Sequence, residues 1–430
     1  MGEVRSDFVK IVTAEDLRTR PFEPSDKAFG PLAGQTPAGL ATARSDLDAA
    51  GLSFPVLSLR SSALTSNAQA MAAYCAAHGV VLAPHGKTGM SPELAQLQLD
   101  HGAWAITVAT MNQLRTYSHF GFDRLLLANQ MTDPADLRWL AERPQLEAYF
   151  YVDDPSFITS CAISPAHPLP VLVEIGFQGG RTGCRTDEEA VEVAKAVAAS
   201  DAFRLAGVAA YEGTMHGNDA VERAAEFCRR LRRLADRLRG FASGPEDFIV
   251  TAGGSTYFDV VTNELTAGDR SGLRIVLRSG AYLYHDHGIY ARSTPAARAG
   301  VNVPFPTPGG GERHIHTAGA APLPRFTPAI ELWARVQSRP EPGLALLGFG
   351  RRDAGTDAGL PVPLDLGDGA EITDLNDQHA YLHLSPQESL APGDIVRLGI
   401  SHPCTTLDKW QLIPLLDDDT RITGVVHAFW

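Results

Sequence analysis

Between residues 54 and 280 short apolar runs alternate with longer stretches whose apolar residues recur at helical spacing. "FPVLSL" (54–59) predicts a strand, and "SSALTSNAQAMAAYCAAHG" a helix that starts at serine and stops at Gly79. "VVLAP" predicts the next strand and "SPELAQLQLDHG" the next helix, with Pro92 and Glu93 in its first turn. Further strands are predicted at 105–109, 124–128, 147–152, 170–175, 204–211, 248–250 and 274–280, with helices filling most gaps. Strands this continuously apolar, separated by helices, are buried parallel strands. About eight such units over about 240 residues suggest a closed (β/α)8 TIM-like barrel, with an open doubly wound sheet as the alternative that periodicity leaves standing. No G-x-G-x-x-G follows the first strand, which weighs against a dinucleotide site.

Near residue 292 the texture changes. A Pro- and Gly-rich stretch reads as a linker, and after it come short β-type runs such as "AIELWARVQS", "YLHLS", "DIVRLGIS" and "ITGVVHAF". They predict a compact C-terminal all-β domain.

Composition narrows the function classes. The chain has 430 residues, 44% of them hydrophobic, enough for more than one domain. A formal net charge of -13 argues against nucleic acid and against an anionic membrane surface. No apolar signal core or run of about 18 apolar residues is present, so the expectation is a cytoplasmic protein. The cysteines (Cys75, Cys161, Cys184, Cys228, Cys404) form neither a disulfide framework nor a C-x-x-C pair. There are five lysines, Lys10, Lys27, Lys87, Lys195 and Lys409, so few amines can do covalent chemistry.

Lys87, in "VVLAPHGKTGM", stands three residues past Pro84, where a buried strand empties into a loop. Catalytic groups of parallel barrels sit at the C-terminal ends of strands, and a lysine there can attack a carbonyl. A surface loop lysine is the commoner role of such a residue. "TAGGSTYF" (251–258) could cradle a phosphate through Gly253, Gly254, Ser255 and Thr256, or be only a tight turn. In "SHPCTTLDKW", His402 and Cys404 are two apart, so on an extended chain both would face one way. Imidazole with thiolate suits zinc, whereas a buried free cysteine beside a strand-end histidine is the bland alternative. His285/His287 and His314/His316 repeat the spacing. Arg181 in "GFQGGRTGCR" and the hydroxyls of Tyr211 and Tyr282 also fall at strand ends, where packing is the default role.

Taken in order, "PHGKT", "GGRTG", "AGGST" and "HPC" resemble the D-serine dehydratase / D-threonine aldolase family of pyridoxal-phosphate enzymes with the alanine-racemase fold, from about residue 30 to the end. The resemblance implies that Lys87 is the Schiff-base lysine and the α-proton base. It also implies that "AGGST" cradles the cofactor phosphate with Tyr282 as an extra donor, and that Arg181 lies near the ring's phenolic oxygen. Tyr211 would face the pyridine nitrogen, and His85 and Gln130 would be pocket neighbours. His402 and Cys404 would bind Zn2+ or another divalent metal and make the β-hydroxyl a better leaving group. His-x-Cys points to the dehydratase branch, where the aldolase branch typically shows His-x-Asp. The implied reaction is loss of water from a D-3-hydroxy amino acid, D-serine first and D-threonine second, giving a 2-oxo acid and ammonia. A D-threonine aldolase and a non-catalytic pyridoxal-phosphate carrier are the rivals. The resemblance further implies a barrel over 36–291, a β domain from 1–35 and 292–430 that carries the metal pair, and a homodimer.

Overall fold

The computed structural model describes residues 13–243, 246–300 and 323–430. Strand β1 is Val56–Arg60. The barrel strands follow: β2 Val81–Leu82, β3 Ile106–Val108, β4 Arg124–Gln130, β5 Glu147–Val152, β6 Leu169–Ile175, β7 Phe203–Ala210, β8 Phe248–Ala252 and β9 Leu273–Leu277. They form one eight-stranded sheet in the order β2-β9-β8-β7-β6-β5-β4-β3, every pair parallel. Its two ends meet: Trp104 N–H donates to the Leu82 carbonyl at 2.7 Å and Thr107 N–H to the Pro84 carbonyl at 2.9 Å. The sheet is therefore the expected barrel.

Alternation along the strands sorts side chains between two cores. Ala83, Leu126, Tyr149, Tyr151, Leu172 and Ile249 fill a separate inner cluster, small residues mixed with large. Their sequence neighbours join the outer core beneath the helices. Helix Ala220–Leu238 shows why those helices dock: Ala224, Phe227, Cys228, Leu231, Leu234 and Leu238 form its buried stripe. Helix Ser61–His78 ends at Gly79 in the left-handed region, φ 62°, as the sequence predicts.

The second sheet holds β1 with β10 Ile330–Glu341, β11 Leu344–Leu347, β12 Val362–Pro363, β13 Glu371–Leu375, β14 Ala380–His383, β15 Ile395–Gly399, β16 Leu412–Leu416 and β17 Ile422–His427. Its main path is β13-β14-β11-β10-β1-β16-β17, with β15 pairing β10 and β12. One expectation changes here. The run at 54–59 opens the strand–helix alternation and reads as the first barrel strand, yet β1 pairs antiparallel with β10 (Val56 opposite Trp333) and parallel with β16. Val56, Leu57, Ser58 and Leu59 are all buried, so β1 carries the same two-sided apolar signature as a barrel strand. Pattern reports burial; it does not report which sheet supplies the partner. Lys87 consequently follows the first barrel strand rather than the second.

The chain ahead of β1 packs on this second sheet's side. Lys27 reaches Asp353 at 2.7 Å, and its ammonium lies 3.8 Å from the centroid of the Trp410 ring. Among the described residues no helix is long and apolar enough to cross a membrane.

Candidate active site

The lysine loop is clamped from two sides. After β2 the chain makes a single 3-10 turn, Gly86–Thr88. The Tyr117 hydroxyl donates to the Gly86 carbonyl at 3.0 Å, and a Cβ on Gly86 would lie 2.6 Å from that hydroxyl oxygen. On Gly89 a Cβ would lie 1.8 Å from the Tyr284 hydroxyl. Both glycines are therefore required by close approach. Gly86 and Thr88 are buried while Lys87 between them is exposed. Lys27, Lys195 and Lys409 are paired with Asp353, Glu192 and Asp408. Among the described residues Lys87 is the lysine that makes no ion pair or hydrogen bond, a free amine at the C-terminal mouth of the barrel.

Beneath it lies a ring of polar groups. Burial pushes the His85 imidazole well below its ordinary pKa, and the charges of Lys87, Arg278 and Arg181 push it further. His85 is thus neutral, and its Nδ1 is buried without a partner among the described residues. Arg278 donates to Thr251 Oγ1 at 2.7 Å and to the Ala210 carbonyl at 2.6 Å, tying the end of β9 to the neighbouring strands β8 and β7. Gln130 Nε2 donates to Glu174 Oε2 at 2.6 Å. Burial raises the Glu174 carboxyl above the usual range, against the Thr182 and Gln130 hydrogen bonds. Gln130 Oε1 and the Tyr151 hydroxyl are also buried without partners among the described residues. The Arg181 guanidinium lies 4.6 Å from the Tyr211 ring centroid, and burial raises the Tyr211 phenol. Glu174, Gly176, Phe177, Arg181, Thr182 and Tyr211 line a cleft beside them.

The Gly-rich loop follows β8. Gly253 has φ 94°, and a Cβ there would lie 2.9 Å from Leu277 Cδ2. On Gly254 a Cβ would lie 3.2 Å from the Tyr211 ring. Ser279 Oγ donates to the Gly253 carbonyl at 3.1 Å, so the β8 and β9 loops lie side by side. Glu212, which sequence reasoning passed over, is fully buried and occupies this loop: Gly254 N–H donates to Oε1 at 2.8 Å and Gly253 N–H to Oε2 at 3.2 Å. The hydroxyls of Ser255 and Thr256 have no hydrogen-bond partner among the described residues. Tyr282 stands apart from this group. Its hydroxyl accepts from Gln98 Nε2 at 2.9 Å and its ring packs on Phe326.

His402 and Cys404 come from the loop after β15. The chain between them is not extended: Pro403 has φ -62° and ψ -43°, and Cys404 opens a helical turn, Cys404–Leu407. They nevertheless stay close enough for Cys404 to act on the charge of His402. His402 Nδ1 lies 2.7 Å from Asp357 Oδ2, and Thr405 Oγ1 donates to Asp357 Oδ1 at 2.6 Å. Burial works against a charged His402, but Cys404 and Asp357 outweigh it and push the imidazole up to about 9. Cys404 Sγ lies 3.5 Å from Thr88 Oγ1, one residue past Lys87. Among the described residues no group of three or more His, Cys, Asp or Glu is arranged around a metal position. His285 and His287 sit in the turn after β9, where burial pushes both down to about 4. His314 and His316 lie outside the described residues.

The structure thus brings together Lys87, His85, Arg181, Tyr211, Gly253, Gly254 and Cys404, and adds Glu212, Glu174, Arg278 and Asp357. An acid directly after Tyr211 at a strand end was the visible sign of Glu212. Asp357, 45 residues from His402 in the chain, left none.

Comparison with known proteins agrees with this architecture. Residues 59–284 match the family "Alanine racemase, N-terminal domain", and residues 329–416 match "Putative serine dehydratase domain". A 3-hydroxy-D-aspartate aldolase of Paracoccus denitrificans is 26% identical over 381 residues, 85% of this chain and 89% of its own. A D-threonine aldolase structure from Filomicrobium marinum superposes with a TM-score of 0.71 at 23% identity, covering 88% of this chain and 95% of the other. A D-threo-3-hydroxyaspartate dehydratase structure from Delftia sp. HT23 does so with a TM-score of 0.68 at 20% identity, covering 88% and 98%. With more than half of the chain, including the whole barrel, matched to one family and a dehydratase-type domain behind it, the chain belongs to the fold type III pyridoxal-phosphate family.

Proposed function

We propose that this protein is a pyridoxal-phosphate- and zinc-dependent lyase that removes water from a D-3-hydroxy amino acid, D-serine first and D-threonine second, yielding a 2-oxo acid and ammonia. The observation that carries the reading is the 3.5 Å approach of Cys404 Sγ to Thr88 Oγ1, which sets the metal-type pair beside the free lysine within one chain.

The residues present fit both groups. For the cofactor, His85 Nδ1, Gln130 Oε1 and the Tyr151 hydroxyl are buried polar atoms in want of partners around the mouth. Gly253 and Gly254 leave space that a side chain would fill. Bound there, the cofactor supplies an electron sink for a carbanion at the substrate α-carbon. For the metal, a thiol and an imidazole are a zinc-type donor set, and two protein ligands leave positions for water and substrate. Asp357 on Nδ1 leaves Nε2 of His402 for the metal.

In this reading Lys87 Nζ would be the amine that holds the cofactor, and the same amine would take the α-proton. The exposed position of Lys87 lets it do both without breaking an existing ion pair. Arg181, stacked on Tyr211, would orient the ring's phenolic oxygen. Tyr211 would offer a neutral hydroxyl to the ring nitrogen, since burial raises its phenol pKa further. Neutral His85 lines the lysine side without adding positive charge. His402 and Cys404 would hold the metal, which would act as a Lewis acid on a leaving β-hydroxyl. The protein is proposed to work as a homodimer.

One observation favours a second reading, cleavage of the Cα–Cβ bond. The Paracoccus relative, similar over most of both chains, is an aldolase. In favour of elimination, a D-threo-3-hydroxyaspartate dehydratase is similar in fold over most of both chains, and this chain carries cysteine in its own metal-type pair. Product analysis from D-threonine with cofactor and zinc decides. 2-Oxobutyrate and ammonia support elimination; glycine and acetaldehyde overturn it in favour of the aldolase.

A further inference from the structure

The Gly-rich loop presents a conflict. The sequence reads Gly253–Thr256 as a phosphate cradle, but a buried carboxylate already holds the backbone N–H groups of Gly253 and Gly254. An N–H pair closed on a carboxylate cannot serve a phosphate, and a second anion in the same position is repelled. Glu212 is 0% exposed, so this is a built contact and not a surface side chain that fell inward.

The other end of the loop is held by a cation. Arg298, from the short helix Pro295–Arg298, donates through Nη1 to the Thr256 carbonyl and, at 2.9 Å, to the Ser293 carbonyl. Its Nη2 donates to Asp259 Oδ1 at 2.6 Å, and its guanidinium lies 5.1 Å from the Tyr257 ring centroid. In a trans peptide the carbonyl and the following N–H point in opposite directions. Pinning the Thr256 carbonyl to Arg298 therefore turns the Tyr257 N–H away from the guanidinium. Between the two clamps lie Ser255 and Thr256, whose hydroxyls have no partner among the described residues.

We propose that Glu212 and Arg298 are positioning residues that fix the 253–256 loop so that the cofactor phosphate is met by Ser255 and Thr256, not by the Gly253 and Gly254 N–H groups. This rests on the cofactor reading above. Glu212 anchors the glycines, Arg298 anchors Thr256, and the segment between them is presented as a preformed anion site. Neither residue touches the phosphate itself.

The test compares pyridoxal phosphate with pyridoxal, which lacks the phosphate, in absorbance titrations of the full-length protein freed of cofactor. Wild type is expected to prefer the phosphorylated form by ~10-fold or more. Glu212→Ala and Arg298→Met are expected to lose ~10-fold in affinity for pyridoxal phosphate while pyridoxal binding stays within about twofold. Glu212→Gln, which keeps one acceptor, and Arg298→Lys, which keeps the charge, should recover part of the loss. Thermal melts identify any variant that fails to fold, and the isosteric Glu212→Gln then carries the test. Unchanged or tighter binding of pyridoxal phosphate in Glu212→Gln and Glu212→Ala overturns the proposal, because the glycine N–H groups would then be the phosphate donors. An equal loss for both compounds also overturns it, since the effect would not pass through the phosphate. A wild type that binds neither compound overturns the cofactor reading, and this proposal with it.

Discussion

The two halves of the candidate site are built differently. The barrel half is held by backbone and buried side chains: Tyr117 and Tyr284 close on the Gly86 and Gly89 turn, Arg278 spans three strands, and Glu212 and Arg298 grip the Gly-rich loop. The C-terminal half hangs on one loop after β15, with His402 held by the exposed carboxylate Asp357. The halves meet at Thr88 and Cys404. A parallel barrel fixes its strand ends through register, so groups there are pre-placed to within a side-chain length. A loop on a second sheet has no such register, and its pair needs a carboxylate to aim the imidazole. The barrel half is therefore expected to bind cofactor whether or not the metal half is intact.

The strongest way to break this division is at Lys87. Lys87→Ala should abolish the visible absorption of bound cofactor and lower turnover by about 10²–10⁴-fold or more, as befits a lost base. Full turnover in that variant would exclude Lys87. Next comes Cys404→Ala. It should lose metal, read by elemental analysis, and elimination activity, while cofactor absorption persists. Loss of cofactor together with metal would show that the halves are not independent.

Asp357→Asn sharpens the comparison further. It keeps an acceptor for Thr405 but removes the charge facing His402, and should weaken metal binding by about 10–100-fold with cofactor affinity unchanged. Equal metal affinity in chelator competition would remove Asp357 from the site.

The smallest effect concerns the turn after β9, where His285 is buried at 2% exposure against Phe326. Its folded pKa of about 4 lies below the ordinary 6.5 because burial disfavours the cation. Between those values the unfolded chain binds a proton that the folded chain does not. Stability from this group is present above pH 6.5 and is lost as pH falls toward 4, by about 3 kcal/mol in all. Denaturant melts should show that slope, and His285→Asn should flatten it. An unchanged slope would assign the acid sensitivity elsewhere.

The chain's pattern alone carried the barrel. Each of β2 to β9 is a short apolar run bounded by a helix, and the sheet that buries it on both faces leaves that signature in the residues themselves. Lys87, the Gly-rich loop and the His402/Cys404 pair stood out as candidates for a related reason: residue type is informative where a strand ends. The partners were not. β1 has the same apolar pattern as its neighbours, yet its pairing with β10 joins residues more than 270 positions apart. Pro403 turns a predicted extended pair into the start of a helical turn. Glu212 and Arg298 grip the Gly-rich loop through hydrogen bonds to its backbone, Asp357 acts through one to an imidazole, and these contacts join residues more than 40 positions apart. Local periodicity encodes how much of a residue is buried; which group it faces is decided when distant segments pack, because only then do donors and acceptors lose water and need each other.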